Sequence, residues 1–388
     1  MNNEQMIAMF KKVIADVNNE KAVKALEDST ILTNNYILIA MFAYEIEGAN
    51  IERLQQIILD SNDLEAIYLF AANVKGIDIT PFQDKILKGD YTEECNHSYF
   101  HKDGCQKRKP TEKLEIVYKF ARDVEGADIE ALQNIILNAD YNNHYTEDAN
   151  KVIVLFARDV KGADIDKLSM LAVKVGTASL QYDFVNEVPS ANYERHENAI
   201  IKMGAAHYIL RFARDFNDLA NVEKLQTALI KYVNKWNDNA SLCYDFANEV
   251  KGADVSKLAS VVLQKCNGSV NYWFARDVEG ADILAHQKKL MKCVGWEDVL
   301  IEFANNIEGA DVAIIEDMFI ERKDFKNLIE LASKCELANV DKIIGFIETY
   351  NNGAQHGYAD IIRKNLSEKQ ALKLANNKKK TANKVANS

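Results

Sequence analysis

A short segment holds two cysteines and two histidines within 11 residues, and these are the side chains that bind zinc. They are Cys95, His97, His101 and Cys105. Two thiolates and two imidazoles are able to complete a tetrahedral zinc site, and a metal would stabilise an insertion that has few other contacts. Because the Cys-x-His-x₃-His-x₃-Cys spacing is not that of a standard zinc finger, a disulfide and a plain exposed loop stay open as alternatives.

A basic patch, Lys107, Arg108 and Lys109, directly follows this cluster. The whole chain has a formal net charge of −11, whereas its last 21 residues hold six lysines and one acid. An acidic protein repels nucleic acid and attracts basic partners. We therefore expect a protein partner with a basic surface, with the patch as a candidate contact loop. Nucleic-acid binding through the patch and the basic tail is the alternative.

A pair of adjacent charges recurs along the chain and is a second candidate for chemistry. Its occurrences are Arg122-Asp123, Arg158-Asp159, Arg214-Asp215 and Arg276-Asp277. Carboxylates in pairs perform acid–base chemistry. A slot that recurs in unit after unit predicts instead a ladder of contacts between neighbouring repeats, and a ligand-binding stripe is the alternative.

The tryptophans and one histidine complete the set of candidate residues. Trp236 and Trp296 lie near predicted turns between repeats, where exposed aromatic side chains form binding hot spots, and a position in the core is the alternative. Trp273 falls within an apolar helical stripe and is predicted to lie in the core. His286 stands where related segments have leucine, which predicts a core histidine rather than a catalytic one.

The sequence lacks the phosphate-binding loop, the G-x-G-x-x-G fingerprint and the H-E-x-x-H and G-x-S-x-G motifs. We therefore expect a non-enzymatic protein with no catalytic residues, and no cofactor unless the zinc site forms. No run of 18 apolar residues and no signal-peptide pattern occurs. These features predict a cytoplasmic protein without a membrane span, whose six cysteines are thiols.

One phrase, Phe-Ala-Arg-Asp-Val-Glu-Gly-Ala-Asp-Ile, recurs with variations along the chain. Its anchor residues are Phe42, Phe70, Phe120, Phe156, Phe184, Phe212, Phe246, Phe274, Phe303 and a degenerate Leu331. The commonest spacing between anchors is 28 residues, and insertions lengthen it in three places. A fixed period of this size is the signature of a repeat architecture.

Each repeat predicts a helical hairpin. Before the glycine, apolar residues from Leu114 to Val124 recur at helical spacing, and a second helical stripe follows from Ile129. Gly126 suits the left-handed position that ends a helix, and Asp128 suits the N-cap of the next one. Six further Gly-x-Asp or Gly-x-Asn junctions occur, starting at Gly48, Gly76, Gly162, Gly252, Gly280 and Gly309.

The predicted fold is all-α: a right-handed α-solenoid of about ten stacked helix–turn–helix repeats. Helices of about 11 residues are marginal in isolation, so they must bury their apolar stripes against neighbouring repeats. We expect capping helices at 1–35, repeats at 36–350 with an inserted loop at 88–112, a C-terminal cap at 351–367 and a basic tail at 368–388. The units anchored by Phe184 and Phe212 lack the Gly-Ala-Asp centre and mark a candidate hinge or binding site.

The repeat phrase resembles the broad class of helical-hairpin repeats, of which HEAT and tetratricopeptide arrays are members. It is more similar to short Tyr/Phe-Ala-x-x-Val-x-Gly repeats in proteins of bacteriophages, large DNA viruses and bacterial mobile elements. The resemblance covers about residues 36–350 and brings no catalytic residues. It implies protein binding on a curved surface, and a phage-like inhibitor that blocks a host factor is one form of that expectation.

Overall fold

The computed structural model describes residues 2–17, 20–89, 110–139, 141, 147–236, 239–350, 361 and 364. Regular structure in these residues consists of 22 α-helices and no strand, so the all-α prediction is confirmed. The first twelve helices are α1 (Asn3–Val17), α2 (Glu20–Leu32), α3 (Tyr36–Glu45), α4 (Ile51–Ser61), α5 (Leu64–Asn73), α6 (Thr80–Lys88), α7 (Pro110–Asp123), α8 (Ile129–Asn138), α9 (Glu147–Asp159), α10 (Ile165–Val175), α11 (Ala178–Glu187) and α12 (Tyr193–Met203). The remaining ten are α13 (Ala206–Asp215), α14 (Val222–Trp236), α15 (Leu242–Glu249), α16 (Val255–Lys265), α17 (Gly268–Asp277), α18 (Ile283–Lys292), α19 (Glu297–Asn306), α20 (Val312–Glu321), α21 (Phe325–Lys334) and α22 (Val340–Thr349).

The chain divides into two compact units, Met1–Met203 and Gly204–Ser388. The first unit contains α1, α2 and five hairpins from α3 to α12, and the second contains five hairpins from α13 to α22. Within each unit the first helix of a hairpin packs on its own second helix and on the first helix of the next hairpin. Neighbour-to-neighbour packing of this kind is the solenoid-like arrangement that the 28-residue period predicts.

The hairpin turns follow the predicted chemistry. At all seven junction glycines φ lies between 76° and 89°, the left-handed region that only glycine adopts freely. Asp128 then caps α8 by accepting a hydrogen bond from the Ala131 N–H at 3.0 Å. The prediction is wrong at Asp78, which accepts from the Thr80 N–H instead. A cap like that of Asp128 would use the N–H of the third residue along, and after Asp78 that residue is Pro81, which has none.

The anchor side chains form the core. All nine anchor phenylalanines and the degenerate Leu331 are fully buried. Each aromatic ring removes a large apolar area from water, which supplies the stability that a helix of about ten residues lacks alone. The phenylalanine anchors therefore repeat because each hairpin must be packed separately.

Glutamine amides connect successive hairpins in a way that the sequence analysis did not predict. The Oε1 atom of Gln133 accepts the backbone N–H of Asp164 at 2.7 Å, so a second helix holds the N-cap residue of the next second helix. The same contact occurs from Gln83 to Asp128, Gln226 to Asp254 and Gln287 to Asp311, at 2.7–2.8 Å. Each amide satisfies a backbone group at the turn and fixes the register between repeats.

None of the described helices is both long and apolar enough to cross a membrane. The predicted C-terminal cap and basic tail lie outside the described residues, apart from 361 and 364.

Candidate functional site

A ladder of tyrosines and carboxylates runs along the first helices. The hydroxyl of Tyr118 on α7 donates to Asp159 on α9 at 2.5 Å, and Tyr68 on α5 donates to Asp123 on α7 at 2.7 Å. In the second unit, Tyr244 donates to Asp277 at 2.7 Å. Each tyrosine lies two residues before its anchor phenylalanine, and each acceptor lies three residues after the next anchor.

The recurring arginines complete this ladder. Arg122 donates from Nε and an Nη atom to both oxygens of Asp123, each at 2.7 Å, and from its other Nη atom to the Tyr118 hydroxyl at 2.9 Å. Hydrogen bonds from Arg122 hold the pKa of Asp123 below its usual range. Burial, together with the bond to Asp123, raises the pKa of Tyr68 to about 12. These contacts confirm the predicted ladder between repeats and give the Arg-Asp pairs a structural role.

In two steps of the ladder, an arginine and a glutamate replace the tyrosine and the aspartate. Where the tyrosine is replaced by Val154 or Leu210, the acceptor in the next repeat is a glutamate rather than an aspartate. Arg158 then reaches Glu187, and Arg214 reaches Glu249 at 2.9 Å. The longer glutamate meets an arginine where no phenol is available.

Two buried histidines form polar joints between helices. His196 Nδ1 lies 2.7 Å from the amide oxygen of Gln181, and its Nε2 lies 2.9 Å from the hydroxyl of Ser169. Because the Gln181 amide nitrogen donates to the Ala172 carbonyl, its oxygen must accept from His196, which places the histidine proton on Nδ1. Nε2 then accepts from Ser169.

This serine–histidine–amide chain has the connectivity of a nucleophile, a base and an orienting group. Ser169, His196 and Gln181 are each at most 1 % exposed. A substrate therefore has no access to these three side chains. Burial also lowers the pKa of His196 to about 4. Its role in this geometry is to join α10, α11 and α12.

His286 repeats this joint in the second unit, with one contact missing. Its Nδ1 lies 2.9 Å from the amide oxygen of Asn271, and its ring stacks on Phe274 as that of His196 stacks on Phe184. Its Nε2 is buried without a hydrogen-bond partner among the described residues. The repeat register places Ala259 where Ser169 stands in the first unit. His286 is a core histidine, as predicted, but only one of its nitrogens is satisfied.

The three tryptophans have different environments. Trp236 is 60 % exposed at the end of α14, and Lys235 Nζ lies 4.7 Å from its ring centroid. Trp296 is half-buried and packs so closely on Gly268 that an added Cβ there would lie 2.5 Å from the indole. The prediction that Trp273 lies in the core is wrong: it is 40 % exposed, because the residue before each anchor lies at the edge of the helical stripe.

Trp273 lies between two carboxylates on neighbouring first helices. Asp245, Trp273 and Glu302 each directly precede an anchor phenylalanine, on α15, α17 and α19, and we call these three residues the Trp273 column. The Tyr244 ring contacts Trp273 at a centroid distance of 6.3 Å. Partial burial, followed by the charge of Glu249, raises the pKa of Asp245. Neither acid of the column forms a salt bridge with any residue that the structure describes.

A groove of about 420 Å³ lies between α9 and α11 in the first unit. Its floor includes Val154 and Leu180, and its rim includes Lys151, Asp183 and Glu187. Another groove, of about 490 Å³, adjoins Gly89 at the end of α6.

The predicted zinc ligands Cys95, His97, His101 and Cys105 lie outside the described residues, as do Lys107, Arg108 and Lys109. Within the described ranges, no group of three or more histidine, cysteine or acidic side chains is arranged to hold a metal ion. The described cysteines are free, and burial raises the pKa of Cys243 to about 12.

No protein-family model and no curated protein matches this sequence.

Proposed function

We propose that this protein is a non-enzymatic scaffold for protein–protein interaction, and that its partner presents a basic surface. The observation that carries the proposal is the Trp273 column in the second unit. It combines an exposed indole with two carboxylates that form no salt bridge within the described part of the chain. A lysine or arginine side chain gains from both features, through cation–π contact and through charge.

The repeat geometry supports an extended contact. Packed helices lie about 8–10 Å apart, so the column offers acid, indole and acid at a regular interval across three helices. Several other charges on the first helices are already used within the ladder, as Arg276 is by Asp277. The net charge of −11 adds long-range attraction for a basic partner.

The resemblance of the repeats to those of phage and mobile-element proteins supports a narrower form of the proposal. In that form the partner is a host factor, and binding in the cytoplasm blocks its activity. A scaffold of this kind needs no cofactor, and the zinc proposed for Cys95, His97, His101 and Cys105 would be structural.

Affinity capture of the tagged full-length chain from its native cell, with and without nuclease, tests the proposal. We expect one stoichiometric protein that survives nuclease and is released by salt. The triple variant Asp245→Asn/Trp273→Ala/Glu302→Gln should lose it. The control Glu223→Gln/Leu284→Ala/Asp341→Asn removes the same charge and one exposed apolar side chain from second helices, and should keep it. Capture that disappears with nuclease would support nucleic-acid binding instead.

A further inference from the structure

The groove between α9 and α11 occurs where the tyrosine ladder lacks a tyrosine. Tyr68, Tyr118 and Tyr244 each place a phenol between two successive first helices, with the hydroxyl on a carboxylate of the next helix. Val154 occupies the equivalent position on α9, and the equivalent carboxylate on α11 is Glu187. Both residues line the groove.

The tyrosines of the other repeats therefore indicate which kind of side chain fits this groove. A groove of about 420 Å³ falls within the size range of small-ligand sites. Its apolar floor suits the face of an aromatic ring, and Glu187 at its rim suits a hydroxyl donor.

Glu187 retains the capacity to accept that hydroxyl. One of its oxygens, Oε2, takes the hydrogen bond from Arg158, and a carboxylate offers about four lone-pair sites. The neighbouring repeat provides the precedent, since Asp159 accepts from Arg158 and from the Tyr118 hydroxyl at the same time.

The charges at the rim indicate which tyrosine the groove prefers. Two acids, Asp183 and Glu187, and one base, Lys151, line the rim, and the whole chain carries a formal net charge of −11. That charge favours a segment with lysine or arginine beside the tyrosine, and it disfavours a phosphorylated tyrosine.

We propose that this groove binds the phenol side chain of a tyrosine that a basic segment of a partner protein presents. The tyrosine supplies the ladder contact that Val154 cannot make. The inference rests on the proposed scaffold function only in taking the tyrosine from a partner; the groove itself lies in the first unit, apart from the Trp273 column.

Ligand-observed saturation-transfer NMR on the purified full-length chain tests the groove with N-acetyl-tyrosinamide as the probe. We expect saturable binding, about tenfold weaker binding of N-acetyl-phenylalaninamide because the hydrogen bond to Glu187 is lost, and none of the phosphotyrosine analogue. Equal affinity for the tyrosine and phenylalanine probes, preferred binding of the phosphorylated one, or no binding of any probe would each overturn the proposal.

Two variants locate the binding. Val154→Tyr fills the groove with a side chain that sister repeats already accommodate, and it should abolish binding without lowering the melting temperature. Ser179→Phe blocks the groove from the opposite wall, on a partly exposed site, and keeps the test decisive if Val154→Tyr folds poorly. Ser260→Phe, on an exposed second-helix site of the other unit, is the control and should bind normally. Undiminished binding by both groove variants contradicts the assignment.

Because these probes are small molecules and need no partner, the outcome is separate from that of the capture experiment. If the capture experiment recovers no protein partner but the tyrosine probe binds, only the scaffold proposal is rejected. If a partner is captured but the tyrosine probe does not bind, only the groove proposal is rejected.

Discussion

At the scale of single residues, His196 and His286 make stability depend on pH. Burial lowers the pKa of each to about 4, whereas a histidine in an unfolded chain titrates near 6.5. Between those values the unfolded chain binds a proton that the folded chain does not. The contribution of each histidine is therefore complete above about pH 6.5 and falls as the pH drops towards 4.

We expect each unit to lose up to about 3 kcal/mol of unfolding free energy across that window, measured by urea denaturation at several pH values. The charge of Arg195, which pairs with Asp166, acts on His196, and Tyr193 and Glu197 lie on the same helix. The charge of Asp282 acts on His286. The carboxylates of the ladder, with lowered pKa values, lose their contribution only at lower pH.

The control for this prediction comes from a sister repeat. Val117 and Leu132 stand 15 residues apart where Asn271 and His286 stand, and both are buried. The double variant Asn271→Val/His286→Leu should remove the decline between pH 6.5 and 4 from the second unit. An unchanged decline in that variant would show that His286 is not its source.

His196 has a serine beside it, Ser169, and His286 has an alanine, Ala259, in the equivalent position. This difference allows two opposite substitutions to be compared. Ser169→Ala deprives His196 Nε2 of its donor and should cost about 1–3 kcal/mol. Ala259→Ser should supply that donor to His286 and leave stability unchanged or higher. Thermal melts of both variants check this, and destabilisation by Ala259→Ser comparable with that by Ser169→Ala would reject the equivalence of the joints.

Substitution of alanine at two glycines of the second unit should change stability in opposite directions. An alanine at Gly268 would meet the Trp296 ring at 2.5 Å, so Gly268→Ala should destabilise by about 1–3 kcal/mol. Gly345 lies within α22 with no atom within 4 Å of an added Cβ, so Gly345→Ala should stabilise by about 0.5–1 kcal/mol. Chemical denaturation measures both, and equal effects would mean that Trp296 does not need the glycine.

At the scale of helices, the glutamine amides hold one hairpin to the next. Gln287 accepts from the Asp311 N–H and donates to its carbonyl, both at 2.8 Å. Gln287→Met removes both contacts at similar volume and should cost about 2 kcal/mol. Gln264→Met, at an exposed site on α16, should stay within about 0.5 kcal/mol of the native chain. Urea titration compares the two, and a neutral Gln287→Met would contradict the bridging role.

Features decided within one hairpin were easier to predict from sequence than features decided between hairpins. Gly126 and Asp128 act on their own turn, so local rules predicted both correctly. The Gln133 contact with Asp164 depends on how one repeat sits on the next, which the period alone does not specify. Trp273 was misplaced for another reason: the residue before each anchor lies at the edge of the apolar stripe, and the helical period alone does not separate that edge from the core.

The candidate sites were harder to predict than the fold. Trp236 is exposed as a contact residue needs to be, but the Trp273 column depends on three residues brought side by side by packing. The groove at Val154 has one signal in the sequence, a missing tyrosine at a fixed distance from the anchor. The absence of a tyrosine at position 154 can be recognised as significant only when the contacts of the ladder between repeats are known.

At the scale of the whole molecule, charge and repetition act together. The ladder pairs charged side chains to join the repeats inside each unit. Acidic residues outside the ladder contribute to the net charge of −11. Surface attraction of this kind is screened by salt. A partner held by the Trp273 column should therefore bind more weakly as ionic strength rises.

Hydrogen–deuterium exchange on the captured complex tests the scaffold account most directly. We predict slower exchange on binding in residues 242–249, 268–277 and 297–306, the three helices of the Trp273 column, and no change across residues 51–61 on α4. Protection confined to second helices, or to the basic segments around 107–109 and 368–388, would contradict it.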